Sequence, residues 1–223
     1  MHKTKANRKK RTVAVFLVVL AIALLTVSGF GIWDYLKTTR TGDDMPSSEV
    51  VSDVGVVSEK PVTVSDAMYT VPSHQPRTIQ IPRLGINAYV QKVGIEKNGA
   101  MSTPSNINFA GWYINSRSPG ESGVSIINGH AGGRYSPGVF LQIGQLQPTD
   151  KLYVQMGDMT MREFSVLSVN TYSVAEASTP LFNDDPLIDK ELHLITCDGV
   201  FNDQTQSYDK RTVVVARYVG VHE

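Results

Sequence analysis

The chain has 223 residues, 41% of them apolar and 8% aromatic, and its 21 Lys and Arg balance its 21 Asp and Glu. This apolar share excludes a globally disordered chain, and a single cysteine, Cys197, excludes an intrachain disulfide and a Cys-rich zinc site. Charge argues against a nucleic-acid partner, because the only basic cluster is Lys3, Lys5, Arg8, Lys9, Lys10 and Arg11 and the remainder is neutral or mildly acidic.

Residues 1–11 therefore read as a basic cytoplasmic tail. Residues 12–33 carry no charge, are wholly apolar from Val13 to Leu25, and as a helix would span roughly 33 Å, the depth of a bilayer core. This predicts one N-terminal transmembrane helix. The basic flank sets the N-terminus inside, and Trp33 and Tyr35 suit the far interface. A cleaved signal peptide is the rival reading, but the apolar run is long for one and no Ala-x-Ala site follows it. Residues 34–76, rich in Ser, Thr, Asp, Val and Pro and net acidic, read as an extracytoplasmic linker.

From residue 77 to 223 the texture changes to short β-rich runs separated by Gly, Pro, Asn and Asp. Strands are predicted over 78–81, 88–94, 124–128, 151–156, 162–170, 191–197 and 212–219, with a short helix over 139–146. At least seven strands with short connections point to a mainly β barrel or sandwich, and no strand–helix alternation of the parallel kind is present.

An unpaired thiol outside the cytoplasm is exposed to oxidation. The bland explanation of Cys197 is a small buried hydrophobe. The run Leu192-His193-Leu194-Ile195-Thr196-Cys197 followed by Asp198-Gly199 instead puts the thiol at a strand end facing a polar loop, where it can react. A cysteine nucleophile needs a proton partner, by default histidine. Of the five histidines, His2 is cytoplasmic, His74 lies in the linker and His222 is terminal. His193 sits four residues along the same strand, roughly 13 Å from Cys197, and reads as a surface or sheet-packing residue. His130 follows the run 124–128 between Gly129 and Ala131-Gly132-Gly133, an opening that leaves an imidazole facing a cleft. Arg211, at the head of Thr212-Val213-Val214-Val215-Ala216, is the candidate for stabilising an oxyanion; a surface arginine at a strand edge is its bland alternative.

Asn-Gly-His-Ala-Gly-Gly (128–133), Leu-Ile-Thr-Cys-Asp-Gly (194–199) and Lys-Arg-Thr-Val-Val-Val-Ala (210–216), in that order, resemble the sortase signature. Ile-Pro-Arg-Leu-Gly-Ile-Asn-Ala (81–88) resembles the start of the same domain, so the similarity covers about residues 77–220. Gly99-Ala-Met-Ser-Thr-Pro, Ala110-Gly-Trp-Tyr and Ser118-Pro-Gly-Glu-Ser-Gly look most like class F, with classes D and E behind. The Asp-Pro-aromatic lid and C-terminal membrane helix of class C are not seen.

The resemblance implies a closed eight-stranded sortase-type β-barrel with short helices. It also implies a transpeptidase in which Cys197 attacks the Thr–Gly bond of an LPxTG-like signal, His130 moves the proton and Arg211 holds the carbonyl oxygen. Thr196 is assigned to the substrate-binding side through its hydroxyl, with a plain β-former as its other reading. The implied partners are surface proteins bearing a C-terminal sorting signal and a peptidoglycan precursor or other amine acceptor. The implied location is the membrane of a Gram-positive-type envelope, single-pass, with the domain outside. No cofactor or metal is expected, the acidic residues Asp184, Asp185, Asp189 and Glu191 reading as a solvated loop. The rivals are an L,D-transpeptidase, whose Ser-His-Gly-Cys cluster is not matched here, and a non-enzymatic membrane-tethered β-domain that binds wall or protein ligands.

Overall fold

The computed structural model describes residues 49–52, 55–64, 69–205 and 207–222. The basic tail and the apolar span 12–33 lie outside them; among the described residues no helix is long and apolar enough to cross a membrane.

Eight strands form the domain: β1 (Pro76–Ile81), β2 (Ile86–Val93), β3 (Ala110–Tyr113), β4 (Gly123–Gly129), β5 (Lys151–Met156), β6 (Met161–Ser173), β7 (Lys190–Asn202) and β8 (Ser207–His222). One short helix, α1 (Ser178–Phe182), lies between β6 and β7. The strands close in the order β1-β2-β3-β4-β7-β8-β6-β5, with β5 pairing back onto β1. Closure leaves no sheet edge. Two neighbouring pairs, β2 with β3 and β4 with β7, are parallel.

Alternation along each strand sorts the side chains. Ile79 and Ile81, Ala88 and Val90, Leu152, Val154 and Met156, Leu192 and Leu194, and Val214 and Ala216 recur at every second position and fill the interior. The odd-numbered positions between them on β7 and β8 face outward: Ile195, Val213 and Val215 pack with Ile126 of β4 and Leu181 of α1 in a separate outer cluster. These strands are buried on both faces at this side, which is why they read as nearly continuous apolar runs.

The segment read as linker supplies structure of its own. Tyr69 packs on Tyr89 and Phe109 together with Val62, Val64 and Val71, covering the outer face of β2, and the Tyr69 hydroxyl donates to the Val90 carbonyl at 2.9 Å. Burial pushes the Tyr69 phenol up to about 12, against the opposing pull of Arg77.

The structure departs from the predicted elements in three places. Strand β3, four residues with Gly111 inside it, was not among the expected strands. That glycine is required, since a Cβ there would lie 2.8 Å from Val93 Cγ1 and 3.0 Å from Pro104 Cγ and would collide with the Asn128 carboxamide. The helix expected over 139–146 is a series of turns ending in the 3-10 turn Ile143–Gln145; Gly144 weakens a helix and Pro148 disfavours its continuation. Its Phe140, Ile143 and Leu146 still enter the interior. Finally, β7 and β8 run on as a hairpin beyond residue 197, where the expected strand stopped, through the pairs Phe201↔Tyr208 and Asn202↔Ser207.

Candidate active site

Strand order and pleat bring the three sequence candidates together. β4, β7 and β8 are consecutive in the barrel. On β7, Cys197 has the outward parity of Ile195, and Arg211 on β8 that of Val213. Cys197 and Arg211 are register partners. His130 directly follows β4, one residue past its end at Gly129, and has the sequence parity of the outward-facing Ile126. The last β4–β7 pair is Asn128↔Ile195, so the same parallel register, continued two residues, sets His130 beside Cys197. Neighbouring strands lie about 4.8 Å apart. By register, His130, Cys197 and Arg211 thus fall in a row across the line of β4, β7 and β8, with Cys197 in the middle, and the Arg211 charge is felt at the thiol.

Cys197 is not at a strand end, as the sequence suggested. It occupies the last regular stretch of β7 before a register shift between Asp198 and Phe201, where Gly199 adopts a φ of 84° that favours glycine. The thiol that precedes this irregularity is half-buried. Likewise Arg211 lies inside β8 and does not open it.

Thr196, buried on the opposite parity to Cys197, donates its hydroxyl to the Gly129 carbonyl at 2.9 Å. This ties β7 to β4 one residue before both His130 and Cys197. Gly129 itself has no room for a side chain: a Cβ would sit 2.6 Å from Phe140 Cδ2.

The imidazole is held through one nitrogen. His130 Nε2 lies 2.8 Å from the Pro104 carbonyl, and because a carbonyl only accepts, Nε2 carries a proton. That leaves Nδ1 to gain and lose one. Burial lowers the His130 pKa below the ordinary imidazole value, with the Pro104 carbonyl opposing. Burial raises the Cys197 pKa, with the Arg211 charge opposing. Both shifts favour the uncharged forms, thiol and imidazole.

The Arg211 guanidinium is pinned by the hairpin: Nη1 donates to the carbonyls of Tyr208 at 2.9 Å and Lys210 at 2.7 Å, and Nη2 to Ser207 Oγ at 3.2 Å. A guanidinium has five donors, so some remain for a substrate oxygen.

Sequence reasoning missed the groups that hold this row. Pro104 and Asn128 are two: Asn128 Nδ2 donates to the Ser102 carbonyl at 2.7 Å, so the loop 102–104 is fixed to β4 twice. Asp198 is a third. The Thr212 hydroxyl holds its carboxyl below the usual range, against partial desolvation and with help from the Gly199 amide and the Thr171 hydroxyl; the Thr212 contact is 2.6 Å. Only the alternation of Thr196, Asp198 and Thr212 against the outward residues hinted at it.

His193, left open as surface or sheet-packing, is buried. Its Nδ1 contacts the Leu181 carbonyl and its Nε2 the Glu191 carboxylate, each at 2.9 Å. Glu191 therefore differs from the solvated residue expected: it is 2% exposed, and its other oxygen accepts the Asp185 amide at 2.6 Å. Among the described residues no cluster of three or more His, Cys, Asp or Glu is arranged to hold a metal.

The sortase domain family matches residues 79–219, well over half the chain, and the chain belongs to the sortase family. Among solved structures, the SrtA sortase from Actinomyces oris is 22% identical over 70% of this chain and 86% of its own, with a TM-score of 0.50. A lid mutant of sortase A from Corynebacterium diphtheriae is 20% identical over 70% and 75%, with a TM-score of 0.51. Sortase A of Listeria monocytogenes is 22% identical over 67% and 92%, with a TM-score of 0.48. None of the curated proteins matches the chain.

Family membership makes this protein a cysteine transpeptidase. It implies protein substrates that bear a sorting signal, amine acceptors, and association with the Gram-positive cell envelope. The L,D-transpeptidase and the non-enzymatic binding domain are thereby set aside.

Proposed function

We propose that the protein is a membrane-anchored sortase, most like class F, that cleaves an LPxTG-like signal between Thr and Gly and passes the acyl group to an amine of the cell wall. The observation that supports this most directly is that the register of three adjacent strands aligns Cys197 with Arg211 and with His130, the residue that follows β4. The anchor is the uncharged span 12–33. The class reading rests on the 99–104, 110–113 and 118–123 motifs, the first of which includes the loop whose Pro104 carbonyl holds His130.

In the reactive state the proton of the Cys197 thiol resides on His130 Nδ1. The thiolate attacks the threonine carbonyl carbon, and the oxyanion is met by the Arg211 guanidinium. As the C–N bond breaks, Nδ1–H protonates the departing glycine amine, leaving a thioacyl enzyme and a neutral imidazole. The incoming amine gives its proton back to Nδ1 as it attacks the thioester, and Cys197 leaves as thiolate. Thr196 fixes the spacing of the two strands from the interior side.

Incubating the protein with a fluorogenic sorting peptide and an amine acceptor tests the reading. Cys197→Ala is expected to reduce turnover to background, a loss on the order of 10⁴-fold or more. Full activity in that variant would sink the mechanism.

A further inference from the structure

Residues 55–64 lie outside the matched domain, yet they touch the parts of the chain that hold His130. The Ser58 amide donates to the Ser105 carbonyl at 2.8 Å, and the Ile107 amide donates to the Ser58 carbonyl at 2.9 Å. The Lys60 carbonyl accepts from Asn106 Nδ2 at 3.1 Å and Asn108 Nδ2 at 3.0 Å. The strap is thus bonded to residues 105–108, immediately after Pro104, whose carbonyl holds the imidazole.

Its other grip is on the far side of the histidine. Glu59 Oε1 accepts the Arg134 amide at 2.5 Å, and Oε2 accepts the Tyr135 amide at 2.9 Å. Desolvation raises the Glu59 pKa, but the amides of Tyr135 and Arg134 and the contacts of Ser136 outweigh it, so the group stays an anion below the usual range. The receiving loop is shaped for this contact: a Cβ at Gly133 would lie 2.5 Å from the Glu59 carboxylate carbon. The loop then returns to the site, since the Gly138 amide donates to Ala131 O and the Phe140 amide to His130 O, both at 2.9 Å.

We propose that Glu59 is a positioning residue for the transpeptidation reaction: by chelating two backbone amides of the loop after His130 while its neighbours bind the loop before it, the strap holds the imidazole against Cys197 from both sides. The proposal rests on the assignment of His130 as the proton-transfer group. A carboxylate suits this task because its two oxygens accept two successive amides at once, which no neutral side chain of that length does.

The test compares full-length wild type, Glu59→Gln and Glu59→Ala. For Glu59→Ala, kcat is expected to fall about 10-fold, with the KM for the sorting peptide changed less than about twofold, because displacement of a reacting group costs rate more than binding. Glu59→Gln keeps one acceptor oxygen and is expected to fall between the two. In Glu59→Ala, hydrogen exchange is expected to quicken at the amides of Arg134 and Tyr135 and not in β7.

A kcat within about twofold of wild type in Glu59→Ala would overturn the proposal, as would a loss that tracks a fall in melting temperature across the three proteins. If the wild type itself turns over no sorting peptide, it is the sortase mechanism that fails. The exchange measurement still decides the clamp, and unchanged exchange at Arg134 and Tyr135 overturns it.

Discussion

Two patches near the ends of β4 and β7 each carry a histidine, His193 buried and His130 partly buried, and they use it in opposite ways. Beneath α1, His193 has a carbonyl on one nitrogen and a carboxylate on the other. At the row with Cys197, the one ring contact of His130 among the described residues is that of Nε2 with Pro104. A ring engaged at both nitrogens is fixed in place and has no nitrogen left to offer, whereas a ring engaged at one is fixed in place and keeps the other nitrogen for a proton. The first joins α1 to the barrel; the second is suited to acid–base work.

Substitution separates the two patches. His130→Ala is expected to lower kcat/KM about 10²–10⁴-fold with little change in melting temperature, read by peptide turnover beside calorimetry. His193→Ala should do the reverse: it strands the buried Glu191 carboxylate and lowers stability by about 3–5 kcal/mol, while variant that remains folded keeps most of its rate. If His193→Ala abolished turnover in a fully folded protein, the division between the patches would be wrong.

Thr196→Val removes one buried hydroxyl and leaves the Gly129 carbonyl without that partner. Denaturant unfolding should show a loss of about 1 kcal/mol, with a moderate loss of rate because the two strands that carry the row are no longer tied. The smallest effect concerns pH. The functional pair holds one proton between thiol and imidazole, so activity falls at acid pH once both groups are protonated and at alkaline pH once neither is. Burial lowers the first limb and raises the second. Arg211 pulls the thiol down, so Arg211→Ala is expected to move the alkaline limb further up, measured by the pH dependence of Cys197 alkylation.

Much of the row was legible in the sequence because each member follows or begins a strongly periodic apolar run. Cys197 closes Leu192–Leu194–Thr196 alternation, His130 follows 124–128, and Arg211 precedes Val213 and Val215. The strand count was legible too, except for β3, whose Gly111 serves a close backbone approach that local pattern cannot disclose. What holds the row was hidden for a different reason. Pro104 and Glu59 act through a carbonyl and a carboxylate on segments without a period, Asn128 acts through a side-chain amide whose partner, Ser102, is 26 residues away, and all three meet their partners only after the barrel closes. The valines of 56–64, read as linker, likewise have no strand or helix rhythm; Val62 and Val64 find their packing against Tyr89, a residue of the barrel itself.

The bond from Thr196 to Gly129 spans 67 residues, and it joins strands that run parallel, a pairing no hairpin can make. Local turns can therefore fold every hairpin of this chain without bringing a thiol near an imidazole, and the long-range closure that does so is the slow, entropically costly part of β-barrel folding. A newly made chain is in this sense born inert: its cutting chemistry switches on only with completion of the barrel, so an incompletely folded copy lacks the assembled site.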